Sequence, residues 1–156
     1  MEDSQEQMDL VTVGGLIYQA SMKDIKVIKN PKELIKYIKE VSRKHFTKEI
    51  CGFVGYDSEE KTYLIQHEEN IAPNPSTHFL INPLNYLLFK DQYEMVAIFH
   101  SHIVGDETAS EFDIKMADNC CQPFLIYSLN TKKINIYTPK TVEANVNILE
   151  RIKELI

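Results

Sequence analysis

The chain is predicted to fold as one α/β or α+β domain, a mixed β-sheet flanked by helices, and three patterns along it support that reading. Short apolar runs of strand length alternate with stretches whose apolar residues recur at helical spacing. Asn-Pro pairs, which suit the cap and first position of a helix, open two of the helical stretches at Asn30-Pro31 and Asn82-Pro83. Turn-forming clusters such as Asp57-Ser58-Glu59-Glu60 separate the strand-like runs. A chain of 156 residues, 44% apolar and 26% charged, is ordinary for a globular domain with a substantial core.

Taken in order, residues 1–8 read as a loosely held leader. Residues 9–29 read as two short strands about Gly14-Gly15, so that 1–30 form an extension ahead of a main domain over 31–156. A helix is expected from Pro31 to about His45, with Leu34, Ile35, Ile38 and Val41 on one face. Glu49 to Tyr56 and Lys61 to His67 read as an antiparallel pair, and residues 68–78, with Asn70, Pro73, Asn74 and Pro75, as a loop. Pro83 opens a short helix that offers Leu84, Leu87 and Leu88 to the core. The unbroken apolar run Met95-Val96-Ala97-Ile98-Phe99 reads as a buried strand. A loop over 102–109, a helix from Ser110 to about Asn119, and a hairpin of Phe124–Leu129 with Lys133–Tyr137 follow. A last helix begins after Thr141.

Charge and cysteine usage narrow the class. A net charge of −6 argues against a nucleic-acid partner, which calls for a basic face. No apolar run approaches the roughly 18–20 residues that cross a bilayer, so no membrane partner is expected. The acidic, polar opening Met1-Glu2-Asp3-Ser4-Gln5-Glu6-Gln7 is unlike a secretory signal, and the expected compartment is the cytoplasm. Cys51, Cys120 and Cys121 are odd in number and form no C-x-x-C, so they read as buried thiols.

The chemistry concentrates in His100-Ser101-His102 and the Ser110 and Asp113 that follow. Two histidines one residue apart share a face only on an extended backbone, and the apolar run before them supplies it. Both imidazoles can then converge on one ion. Asp113, brought back by the next loop, is the natural third ligand of a catalytic zinc site with its fourth position left for water. Ser110-Glu111-Phe112-Asp113 also satisfies a capping box, so Asp113 can equally serve a helix start. Hydrolysis further needs a proton shuttle outside the ligand set. Glu49, at the mouth of a strand, is a candidate, although a solvated acid is equally at home there.

Glu49, His100-Ser101-His102, seven residues, Ser110, two residues and Asp113 together resemble the motif of the JAMM (MPN+) metalloprotease family in order and spacing. Glu49-Ile50-Cys51-Gly52-Phe53 is similar to the strand around that family's glutamate. Pro123 to Leu129 is similar to the strand after its metal helix, so the resemblance spans roughly residues 31–140. It implies an MPN/JAB-like, cytidine-deaminase-like sandwich. It implies one zinc held by His100, His102 and Asp113, Glu49 as general acid/base, and Ser110 donating to the oxyanion. The compact form is more similar to short prokaryotic and phage members, including the JAB domain of tail-assembly proteins, than to eukaryotic deubiquitinating ones. One departure is Ile103, where the family usually has proline.

The expected function is therefore a zinc metallopeptidase or isopeptidase acting on an extended tail of a ubiquitin-like or phage structural protein. A non-catalytic MPN scaffold and a metal-dependent hydrolase of a small molecule are the alternatives. The strand near 95–100 and the loop 70–78 are expected to flank a groove that takes the tail as an added strand, with His78 and Phe79 at its end.

Overall fold

The strand order β3-β5-β4-β6-β7-β8 places the histidine-bearing strand in the interior of a six-stranded sheet. This computed structural model describes residues 7–13, 16–22 and 25–156. The sheet comprises β3 (Lys26–Ile28), β4 (Cys51–Asp57), β5 (Thr62–Glu68), β6 (Glu94–His102), β7 (Phe124–Ser128) and β8 (Ile134–Tyr137). Only the β6–β7 pair is parallel. Its two strands are joined through α3 (Glu111–Cys120), the helical crossover that parallel neighbours require. A separate antiparallel pair, β1 (Gln7–Val13) with β2 (Leu16–Met22), precedes the sheet. The strand that begins at Gln7 takes in the end of the expected leader, while the Gly14-Gly15 turn lies outside the described residues.

Side chains alternate between two apolar layers, as a pleated strand dictates. On one face Val54, Phe99, Leu125 and Tyr127 pack with Leu34 and Ile38 of α1 (Pro31–Lys44) and with Ile148, Leu149 and Ile152 of α4 (Val146–Lys153). On the other, Cys51, Phe53, Ile98, Phe124 and Ile126 pack with Phe89 of α2 (Pro83–Gln92) and Ala117 of α3. His100 and His102 share the parity of Ile98 and so face the α2–α3 side. Among the described residues no helix is long and apolar enough to cross a membrane.

Three expectations need correction. β6 is hydrogen-bonded to β4 on one side and β7 on the other, so it has no free edge on which to add a peptide strand. α2 turns Asn85 and Phe89 inward and leaves Leu87 39% exposed. Asn85 Nδ2 donates to the buried Glu68 Oε1 at 2.8 Å, and the Phe89 ring packs 5.0 Å from that of Phe53. α4 starts at Val146, because Asn145 is its cap and the residues before it are already committed elsewhere. The Glu143 N–H donates to the Cys121 carbonyl at 2.8 Å and the Asn145 N–H to the Met95 carbonyl at 2.9 Å, which holds this stretch across the sheet instead of letting it coil.

The strand after Glu49 is set by a very close approach at Gly52. A Cβ there would lie 2.3 Å from the Gln66 carbonyl oxygen and 2.6 Å from the Phe99 ring, and a backbone oxygen inside a sheet cannot retreat. Gly52→Ala should therefore destabilise the protein by about 2 kcal/mol or more despite the gain in backbone rigidity. Denaturant unfolding of the two proteins measures this, and a difference below about 0.5 kcal/mol would show that β4 and β5 can separate at no cost.

Candidate metal centre

The C-terminal end of β6 and the N-terminal end of α3 bring three side chains to one point. His100 Nε2 and His102 Nε2 are 3.2 Å apart. The two oxygens of Asp113 lie 3.1 Å from His100 Nε2 and 2.9 Å from His102 Nε2. Tetrahedral ligands at zinc bond lengths of about 2.0–2.1 Å are separated by roughly 3.3–3.4 Å, so the triangle is close to the size that such an ion needs. All three side chains are buried, with Asp113 3% exposed and His100 fully enclosed. Glu49 is also buried, and its carboxylate and the two histidine nitrogens lie within 4.8 Å of one another.

The hydrogen bonding around the triangle fits a cation. His102 Nδ1 is 2.7 Å from the Asp106 carbonyl oxygen, which can only accept, so Nδ1 carries a hydrogen. In the neutral ring Nε2 is then a lone pair, and it points at another imidazole and a carboxylate oxygen. That arrangement repels unless a metal ion or a proton stands between the groups. A backbone carbonyl fixing the tautomer of a ligating histidine is the usual outer support of such a site. Beneath it, the Phe79 ring stacks on His100 with centroids 4.2 Å apart, and Phe124 meets the same ring edge-on.

Electrostatics divide the titrating groups. Burial pulls the His100 imidazole below its ordinary pKa and outweighs the opposing pull of Asp113. For His102 burial acts the same way, but hydrogen bonds to Asp113 and the Asp106 carbonyl, with the charges of Asp113 and Glu49, push it up. Burial also works against an ionised Asp113, yet hydrogen bonds from the two histidines, the charge of His100 and the Ser110 N–H hold it well below the usual carboxylate range. Glu49 goes the other way: burial, opposed by His102 and reinforced by Asp113, lifts its pKa to about 8. Two carboxyls with pKa values pushed apart suit one ligand and one proton carrier.

Both readings of Asp113 coexist in one geometry. The Asp113 N–H donates to Ser110 Oγ at 3.1 Å, and the Ser110 N–H donates to Asp113 Oδ2 at 3.0 Å, a reciprocal capping box. The cap therefore aims the carboxylate at the histidines. Ser110 itself is exposed at the rim. The loop carboxylates Asp106 and Glu107 stay outside: Asp106 accepts from the Thr108 N–H at 2.9 Å, and Glu107 from the Thr131 hydroxyl at 2.7 Å. Phe79 belongs to the buried layer, and His78 meets Phe112 edge-to-face with centroids 4.8 Å apart.

Several positioning groups carry no signature of their own in the sequence. Ser101, between the histidines, accepts from the Ile50 N–H through Oγ at 2.9 Å, and its own N–H donates to the Ile50 carbonyl at 3.0 Å. This ties the residue after Glu49 to the histidine strand. Ile103, which departs from the proline usual in the resembled family, accepts from Asn130 Nδ2 at 2.9 Å through its carbonyl. The Gly105 carbonyl accepts from Asn130 Nδ2 and the Ser128 hydroxyl, both at 2.9 Å. The loop after His102 is thus pinned from the β7–β8 turn without help from a proline ring.

Comparison with known proteins agrees with this arrangement. Residues 31–141 match the family described as prokaryotic homologs of the JAB domain. The chain belongs to the prokaryotic JAB family. Over 106 residues, 68% of its length, the JAB chain is 28% identical to tail tip assembly protein K of Escherichia phage N15. That alignment covers 42% of the phage protein, so the chain spans less than half of its curated relative. Its fold is similar to that of protein DSY2949 from Desulfitobacterium hafniense, known from a solution structure. The TM-score is 0.50 at 24% identity, over 67% of this chain and 77% of the other. JAB membership and the buried Glu-His-His group fit a metal-dependent hydrolase.

The raised pKa of Glu49 predicts a pH dependence in chelator-treated JAB protein. An acid that holds its proton more tightly when folded costs stability as pH rises from its ordinary 4.5 to about 8. Glu49→Gln does not titrate, so the variant should gain stability over its parent across that window and keep a constant advantage above it. Denaturant titrations at about pH 5, 6.5 and 8 measure the difference, and one that does not change with pH would mean that Glu49 ionises as in water.

Proposed function

We propose that the chain is a zinc-dependent peptidase that hydrolyses an amide bond in an extended segment of a protein substrate. The observation that carries this reading is the convergence of His100 Nε2, His102 Nε2 and the Asp113 carboxylate at 2.9–3.2 Å, with the buried Glu49 carboxylate within 4.8 Å of the two histidine nitrogens. Zinc held by His100, His102 and Asp113 would supply Lewis acidity and lower the pKa of a water toward about 7. Glu49 takes a proton from the attacking water as its oxygen adds to the amide carbonyl. It then gives that proton to the departing nitrogen as the C–N bond breaks. The Ser110 hydroxyl already accepts from the Asp113 N–H, and its own hydrogen is left to donate to the developing oxyanion. The exposed position of Ser110 at the rim suits an approach by substrate from that side.

A protein substrate is favoured by similarity to a tail tip assembly protein, and an unstructured segment of a phage structural protein is the first to offer. Extended tails of ubiquitin-like proteins share the same backbone chemistry and are the second. Since β6 has no free edge, the tail would lie between the loops 69–80 and 103–109, over the triangle.

Protein purified without added metal should contain one zinc per chain, read by elemental analysis. His102→Ala and Asp113→Ala should each lose it, because two remaining ligands hold zinc poorly. Glu49→Gln should keep the metal and lose peptide hydrolysis by about a hundredfold or more, read by mass spectrometry of an unstructured substrate. Normal zinc content with cleavage at the parent's rate would remove Glu49 from the mechanism. Zinc binding by a protein that cleaves no peptide would favour the scaffold alternative.

A further inference from the structure

Glu49 stands two residues ahead of β4, which begins at Cys51, so its own peptide groups lie outside the ladder, and one buried side chain in the loop that follows β5 supplies what the ladder does not. The Glu49 carbonyl accepts from Asn70 Nδ2 at 2.9 Å, while the Glu49 N–H donates to the Pro75 carbonyl at 2.7 Å. Asn70 uses its whole carboxamide. Nδ2 also donates to the His78 carbonyl at 2.9 Å and, more weakly, to the Pro75 carbonyl at 3.3 Å. Oδ1 accepts from the N–H groups of Ala72 and Leu80, both at 3.1 Å. One residue, 9% exposed, thus closes the loop 69–80 on itself and clamps it to the backbone of Glu49. The same loop carries Phe79, which packs against the ring of His100.

We propose that Asn70 is a positioning residue for Glu49. Resting on the peptidase reading given above, the proposal assigns to its Nδ2 donor the placement of the proton-shuttling carboxylate over the triangle. The two ends of the carboxamide have separable roles. The oxygen serves the loop alone, through Ala72 and Leu80, whereas the nitrogen bonds within the loop at His78 and Pro75 and is the end that also reaches Glu49. Losing the nitrogen leaves the Glu49 and His78 carbonyls without this donor, and a shuttle displaced by even about 1 Å loses rate by up to a hundredfold. None of the three triangle residues bonds to Asn70, so the metal site should not feel the change.

Asn70→Asp tests this, since it keeps the accepting oxygen and the size of the side chain but replaces the donor with a second acceptor. Asn70→Ala, which removes both ends, is the comparison. Wild type and both variants, zinc-loaded, are compared by zinc content, steady-state cleavage of an unstructured peptide, and amide hydrogen exchange. For Asn70→Asp we expect full zinc content, kcat lowered about tenfold to a hundredfold, and KM within about threefold of the parent. The Glu49 amide should exchange at least about tenfold faster while those of Ala72 and Leu80 stay protected. In Asn70→Ala all three amides should open. An unchanged kcat with a freed Glu49 amide, a protected Glu49 amide, or a loss confined to KM or to zinc would each overturn the proposal. If the wild type cleaves no peptide, the peptidase reading is what fails, and exchange at Glu49 still decides whether Asn70 holds it.

Discussion

A carboxylate buried at the start of a helix, facing two imidazoles and almost no water, is the constraint around which the site is organised. Removing a charged group from water costs several kcal/mol unless hydrogen bonds and opposite charge replace the lost hydration. Asp113 meets that demand twice over, with the Ser110 N–H and the N-terminal end of α3 on one side and the histidines on the other. The pull of these groups also makes it strongly acidic. Negative charge at this point is balanced by a cation or by protons on the histidines that face it. The position of α3 follows, since the helix must start where the carboxylate that completes its capping box also reaches the two histidines.

The parallel pair β6–β7 gives that helix its place. A chain leaving the end of one strand and returning parallel to it must cross over, and ligand sites in α/β sheets collect where such strands end. Here the crossover is the loop 103–109 with α3. The loop is anchored at Ile103 and Gly105 by Asn130 and Ser128, and it sends the Asp106 carbonyl back to His102. Strand, loop and helix each contribute one constraint to the same histidine. A proline after His102 would stiffen the loop through its backbone angle; the hydrogen bonds from the β7–β8 turn do so from outside.

Legibility in the sequence tracks how local each cause is. The extended H-x-H, the capping box and the apolar runs are decided by near neighbours, and the elements they define are present as expected. α2 faces otherwise than its leucines suggest because Asn85 answers to Glu68 on a distant strand, and leucine count says nothing about that. α4 starts several residues later than its sequence pattern suggests because the backbone of 143–145 is taken by Cys121 and Met95. The interior position of β6 is a property of strand order, which no local pattern encodes. Asn70 was visible only as a loop former, since its five partners are backbone groups, and backbone groups leave no trace in residue identity.

Glu49 therefore depends on two unlike supports. On the side of the histidine strand, Ser101 bonds to both peptide groups of Ile50, so β6 holds the residue next to Glu49 beside its two histidines. On the other side the loop 69–80 supplies the missing ladder partner through Pro75 and Asn70. A buried acid with a pKa near 8 is useful only if its carboxyl stays dry and aimed, since water entering would return it to an ordinary acid. Rigid support from both sides provides this. The sheet fixes where Glu49 stands relative to the histidine–aspartate triangle, and the loop, which also packs Phe79 under His100, keeps the surroundings of its carboxyl closed.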